Sequence, residues 1–190
     1  MIEDIVPLIP VHFFSITIEG YSVTKRQLEK RHLLPKLSDF NRERSYCDVF
    51  FGWHKEGVVI KVEASRPLEI IELFFDTRDR KTMGYPTRFC HHFYIEVEQQ
   101  EGSEITRFRT DDAHELCAPE LIDVHTAADC VTVRIPKEIL FGYEPEQFSR
   151  LGFTYRINRG EQNFSICDEN FAIEKHPSFW STIRLLAYEP

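Results

Sequence analysis

The chain has 190 residues, with 31 Asp and Glu against 23 Lys and Arg and a formal charge of −8. That length fits one sizeable domain, and 42% hydrophobic with 28% charged residues excludes a disordered chain. The acidic balance excludes a general nucleic-acid binder, because phosphate neutralisation needs a basic excess.

Aromatic content is high, at 16 Phe, 7 Tyr and 2 Trp. Aromatic and β-branched side chains suit pleated, half-buried surfaces, so composition alone leans all-β. The N-terminus, Met-Ile-Glu-Asp-Ile-Val-Pro-Leu, carries acids where a signal peptide needs a basic region. No apolar stretch is long enough for a transmembrane helix. Cys47, Cys90, Cys117, Cys130 and Cys167 are odd in number, widely spaced and free of CxxC pairs. Reduced thiols and a cytoplasmic location are expected, with signal-less secretion left open.

In chain order, alternation predicts a strand over 11–18, followed by a basic stretch over 22–34 that reads as a short helix or loop excursion. Strands follow at 47–53 and 58–64, the second alternating Val58, Ile60 and Val62 against Val59, Lys61 and Glu63. Residues 68–75 are apolar on both sides of the pleat, as in a strand covered on both faces. Further strands are predicted at 89–97, 131–135, 151–157 and 182–188, and Pro136 opens a single helical turn. Phe74, Phe75, Phe93 and Phe153 fall in strand interiors and are assigned to the core. Charge is bipolar. Residues 24–45 hold seven Lys and Arg against three Asp and Glu, whereas 95–129 hold ten acids against Arg107 and Arg109. Many short strands with turn signals between them predict an all-β antiparallel sandwich of jelly-roll type.

Four segments carry a family resemblance. They are Cys47-Asp48-Val49-Phe50-Phe51-Gly52-Trp53 with the strand over 57–63; the strand over 68–79 that ends in Asp76-Thr77-Arg78-Asp79; Val131-Thr132-Val133-Arg134-Ile135-Pro136 with 150–158; and His176-Pro177-Ser178-Phe179-Trp180 leading into the last strand. In order and spacing they resemble the family 9 carbohydrate-binding modules within the DOMON-like β-sandwiches, over about 46–186. One domain is expected over 1–190, with 1–45 as an N-terminal strand and basic excursion and 46–190 as the family-like core. The resemblance implies a non-catalytic saccharide-binding role and a sugar ring stacked between two aromatic side chains; several family members also hold structural Ca²⁺, and no other cofactor is expected. Trp53 lies near the place of one stacking ring. The region of the second reads Phe164 to Phe171 with no Trp, leaving Phe164 or Phe171 as substitutes, and Trp180 is displaced towards the last strand. Arg156 and Asn158 loosely match the family's polar ligands.

Read residue by residue, other sites stay open. Asp76-Thr77-Arg78-Asp79-Arg80 is either a Ca²⁺ loop or a charged turn with its own ion pairs. Cys90, His92 and Glu96 share one face of a strand downstream of Gly84, which imitates a cupin metal motif, and alternation puts His91 and Phe93 on the other face. His114 and Cys117 could meet on a helical turn, but two ligands do not close a zinc site, and His125 would have to join from another element. No GxSxG, HExxH, Walker or GxGxxG pattern occurs. The sequence therefore supports a saccharide-binding module first. A protein-interaction or scaffold sandwich comes second, self-associating or docking a partner protein through the bipolar charge. A cupin-like metal-dependent protein comes third. Neither nucleic acid nor membrane is expected as a partner.

Overall fold

The structure is a computed structural model, and it describes residues 17–23, 28–36, 45–164 and 172–187. Two sheets form a sandwich. The larger has seven strands in the order β1-β11-β9-β4-β5-β6, with the short β10 beside β9. These strands are β1 (Thr17–Tyr21), β4 (Ile70–Asp76), β5 (Cys90–Glu96), β6 (Glu101–Glu104), β9 (Arg150–Ile157), β10 (Gln162–Asn163) and β11 (Ser181–Leu186). The smaller sheet runs β2-β3-β8-β7, with β2 (Cys47–His54), β3 (Gly57–Ala64), β7 (Asp123–Ala127) and β8 (Cys130–Pro136). Among the described strands, β1 pairs parallel with β11 and the other pairs are antiparallel. The predicted antiparallel sandwich is therefore present, with one parallel pairing added at an edge.

Period-two alternation builds the core. Val58, Ile60 and Val62 of β3 and Val131, Val133 and Ile135 of β8 face Ile71, Leu73 and Phe75 of β4 and Leu151, Phe153 and Ile157 of β9. Phe153 lies near the middle, with ring centroids 5.2 Å from Phe51 and 5.1 Å from Phe75. Each fully buried Phe stabilises the fold by roughly 2–3 kcal/mol relative to an exposed one. The β2–β3 hairpin turns through Lys55 and Glu56, and Gly57 closes it at φ +137°. A Cβ at Gly57 would stand 2.2 Å from the Ile135 carbonyl oxygen, so the pairing of β3 with β8 requires glycine there.

All of β4 is buried, as its two-sided apolar pattern predicts. Its outer face carries a second cluster of Phe74, Cys90, Ile173 and Trp180. Phe74 thus belongs to this outer cluster, while Phe75, Phe93 and Phe153 build the main core. Two 3-10 turns, Ile173–Lys175 and Pro177–Phe179, fold across the outer face of the larger sheet and bring Trp180 onto it.

Some predicted boundaries shift. Of the strand expected over 11–18, only residues 17 and 18 are described, and they open β1. The basic excursion is a loop with one 3-10 turn, Lys30–His32, over its described part. β6 and β7 were not expected, because strands as polar as Glu-Gly-Ser-Glu and Asp-Val-His-Thr-Ala show little apolar alternation. No helix of the described residues is long and apolar enough to cross a membrane.

Candidate functional site

The outer face of the larger sheet carries a cleft of about 500 Å³. Its floor comes from three neighbouring strands. Register places Glu72 of β4 opposite Arg156 of β9, and Phe74 of β4 opposite His92 of β5. Alternation sends Glu72 and Arg156 outward because Ile71, Leu73, Tyr155 and Ile157 point into the core.

These side chains form one network. The Arg156 guanidinium donates from Nε to Glu72 Oε2 at 3.0 Å and from Nη2 to Glu72 Oε1 at 2.6 Å, a two-point pairing. Its Nη1 donates to Glu174 Oε2 at 3.2 Å. His92 Nε2 meets Glu72 Oε1 at 3.0 Å, and the His92 ring stacks on Phe74 with centroids 4.1 Å apart. The guanidinium also lies over the Phe74 ring, 5.3 Å from its centroid. Burial acts to raise the Glu72 carboxyl, but hydrogen bonds from His92 and Arg156 outweigh it and hold the group below the usual carboxylate range. The loop after β6 supplies one wall with Arg107, Phe108 and Arg109, and the segment ahead of β11 supplies Glu174 and Lys175. Arg107, Arg109 and Lys175 have no ion-pair partner among the described residues, so cations outnumber acceptors around the opening.

The candidate residues separate into distinct places. Arg156 lies at the centre of the cleft. Trp180 lines it from below, but only 1% of its surface is exposed and its Nε1 donates to the Ile173 carbonyl at 2.9 Å. Trp53 is half-buried against the main core, and its Nε1 donates to the carbonyls of Gly20 (2.9 Å) and Leu186 (3.2 Å), tying β2 to the edge of the other sheet. Phe164 is fully buried and stacks on Tyr155 at 5.4 Å. Asn158 clamps the entry to β4, with Oδ1 accepting from the Glu69 N–H at 2.9 Å and Nδ2 donating to the Pro67 carbonyl at 3.0 Å. Phe171 and Cys167 lie outside the described residues. The structure thus brings Arg156 and Trp180 together and sets Trp53, Phe164 and Asn158 elsewhere.

The other sequence candidates also resolve into local geometry. In the Asp76–Lys81 loop, Asp76 Oδ1 and Oδ2 accept from the backbone N–H groups of Arg78 (3.1 Å) and Arg80 (2.6 Å). Asp79 pairs with Lys81 at 2.9 Å. Cys90 is buried in the outer cluster, Glu96 is exposed, and His92 belongs to the Glu72 network. His114 groups instead with His91 and Glu104. In the sequence, strand alternation separates His91 from His92, and Glu104 stands in an acidic stretch with no feature of its own. Their contact depends on the pairing of β5 with β6, which the sequence does not display.

No protein-family profile matches the sequence, and no curated protein does. Two solved structures of a family 9 carbohydrate-binding module from Caldicellulosiruptor kristjanssonii match its fold. The module in complex with cellotriose aligns with a TM-score of 0.59 at 14% identity, covering 91% of this chain and 95% of the other. The same kind of module in complex with glucose aligns with a TM-score of 0.56 at 13% identity, covering 92% and 96%. The fold is CBM9-like. The likeness runs nearly end to end in both chains, so the β-sandwich read from four segments extends over the whole architecture.

Proposed function

We propose that this chain is a non-catalytic saccharide-binding module and that its ligand occupies the outer-face cleft over Glu72, His92 and Arg156. The observation that carries this reading is the Arg156–Glu72–His92 network, a fixed set of charged donors and acceptors lining a concavity of about 500 Å³. Sugar hydroxyls need such convergent polar groups, and ring C–H faces need an adjacent apolar surface. Phe108, half-buried in the wall, offers that surface. The CBM9-like fold supports the same reading, since its solved neighbours hold cellotriose and glucose.

The site differs from a two-ring sandwich. Trp53 and Trp180 pack in separate clusters and both indole N–H groups are engaged inside the protein. Recognition would then rest on charge-assisted hydrogen bonds rather than on stacking. The uncompensated cations of Arg107, Arg109 and Lys175 favour a saccharide bearing a carboxylate or sulfate over a neutral one. A glycan array that holds neutral and acidic oligosaccharides tests the reading. Binding is expected, strongest for acidic members. Silence across the array, with no binding at roughly millimolar ligand in solution, would overturn it. The separated indoles favour a second reading, a sandwich that docks a protein instead. Retention of a protein partner by a chain that ignores every saccharide would establish it.

A further inference from the structure

A second cluster adjoins the cleft at the β5–β6 edge, where His91 also lines it and Phe108 packs on His114 with centroids 4.9 Å apart. Glu104, the last residue of β6, places Oε1 2.9 Å from His91 Nδ1 and 2.8 Å from His114 Nε2. The side chains of Glu104 and His91 are fully buried, and that of His114 is 4% exposed. Aromatic rings enclose the two imidazoles. Phe93 stacks on His91 at 5.6 Å, and Phe141 stacks on His114 at 5.9 Å.

Proton accounting at this cluster leaves a positive charge to be supplied. His114 Nδ1 lies 2.7 Å from the Arg88 carbonyl oxygen, which only accepts, so Nδ1 carries the proton. A neutral imidazole has a single N–H, and His114 Nε2 therefore presents a lone pair to a carboxylate oxygen 2.8 Å away. Two lone pairs at that distance repel unless a cation lies between them. Glu104 Oε1 already accepts from Thr106 Oγ1 at 2.9 Å, and Oε2 accepts from the Cys117 backbone N–H at 3.0 Å. His91 Nε2 is buried and makes no hydrogen bond. Two cations can fill the gap: a proton on His114 Nε2, which gives an imidazolium paired with Glu104, or a metal ion shared by Glu104 Oε1 and the two imidazoles, whose centroids lie 4.4 Å apart.

We infer that a divalent transition cation of the Zn²⁺ class binds here, held by His91 Nδ1, Glu104 Oε1 and His114 Nε2. Two imidazole nitrogens and one carboxylate oxygen suit Zn²⁺ and its neighbours and do not suit Ca²⁺, which takes six or more oxygens. The three ligand atoms already lie within 4.8 Å of one another. Bonds of about 2.0–2.2 Å in tetrahedral geometry need ligand spacings of roughly 3.3–3.5 Å, so the two short contacts open by about 0.5 Å when the ion enters. The Arg88 carbonyl fixes the His114 tautomer, the usual outer partner of a metal-bound imidazole. Bound metal would staple the loop after β6 to β5. Because that loop carries Arg107, Phe108 and Arg109, the metal would also order one wall of the cleft; this consequence alone rests on the saccharide reading.

The test uses the whole chain, dialysed against a chelator and titrated with Zn²⁺ by calorimetry and with Co²⁺ by visible absorption. One ion per chain is expected. The Co²⁺ spectrum should show tetrahedral d–d bands without a thiolate charge-transfer band, and Ca²⁺ should not compete. His114→Gln should abolish binding, while His125→Gln, at an exposed position on β7, should leave it intact. The inference fails if folded wild-type protein takes up no Zn²⁺ at ~1 mM. It fails equally if His114→Gln binds as wild type does, or if a thiolate band shows that the ion sits on cysteine. The cobalt spectrum decides the matter on wild-type protein alone should a variant not fold, and no arm depends on saccharide.

Discussion

Glu72 is a carboxylate that the fold places between a guanidinium and an imidazole, and its charge is linked to stability. Its carboxyl is held below its ordinary value in the folded chain. A group depressed on folding contributes stability above its unfolded pKa, about 4.3, and that contribution is lost as pH falls through the folded value. Denaturant unfolding should therefore show wild type more stable than Glu72→Gln at pH 7, with the gap closing below about pH 4. A gap that does not change with pH would contradict the assignment. Phe164 gives a contrasting case. The sequence offers it as a stacking ring, yet it is fully buried against Tyr155. Phe164→Ala should cost about 3–5 kcal/mol of stability by denaturant unfolding while saccharide affinity of the folded fraction is unchanged. Arg156 was legible through the family resemblance alone, whose polar ligands it loosely matches. Its partners were not, since Glu72 is 84 residues away in sequence and meets it only through the β4–β9 register.

Legibility at the level of elements follows apolar alternation. β3, β8 and β9 read clearly because Val, Ile, Leu and Phe recur at every second position against Thr, Arg and Gly. β4 reads as doubly covered for the same reason, and the segment carrying Ile173 and Trp180 supplies the second cover. β6 stays silent because one of its inward positions is Gly102, packed under Ile122, and the next is Glu104. With β6 hidden, the approach of His91 and His114 to a shared carboxylate is hidden as well. The loop that follows lacks strand pairing beyond Ile105, whose N–H donates to the His92 carbonyl at 2.8 Å. Its order should depend on the His114 anchor. Hydrogen exchange over 106–117 is expected to quicken on chelation of the metal and to slow on adding Zn²⁺, while exchange in β4 and β9 stays constant. Exchange that ignores metal throughout would separate the loop from the cluster.

Across the whole molecule, the sandwich and its cleft divide the work. Inner faces carry the aliphatic and Phe core, and the outer face of the larger sheet carries both an apolar cluster and the polar cleft. The net charge of −8 conceals an opposite local balance, because Arg107 and Arg109 rise from the most acidic segment of the sequence to face the cleft with Lys175. The aromatic excess serves mainly the interior, which is why composition forecast the sandwich. In the proposed function the cleft binds saccharide through Arg156, and a calorimetric titration of wild type and Arg156→Lys with the tightest-binding oligosaccharide tests it most directly. Lysine keeps the charge and loses the two-point geometry on Glu72. The expected result is affinity reduced roughly 10-fold or more in a folded variant, the scale of one lost charged hydrogen bond. Equal affinity in the two proteins would contradict it.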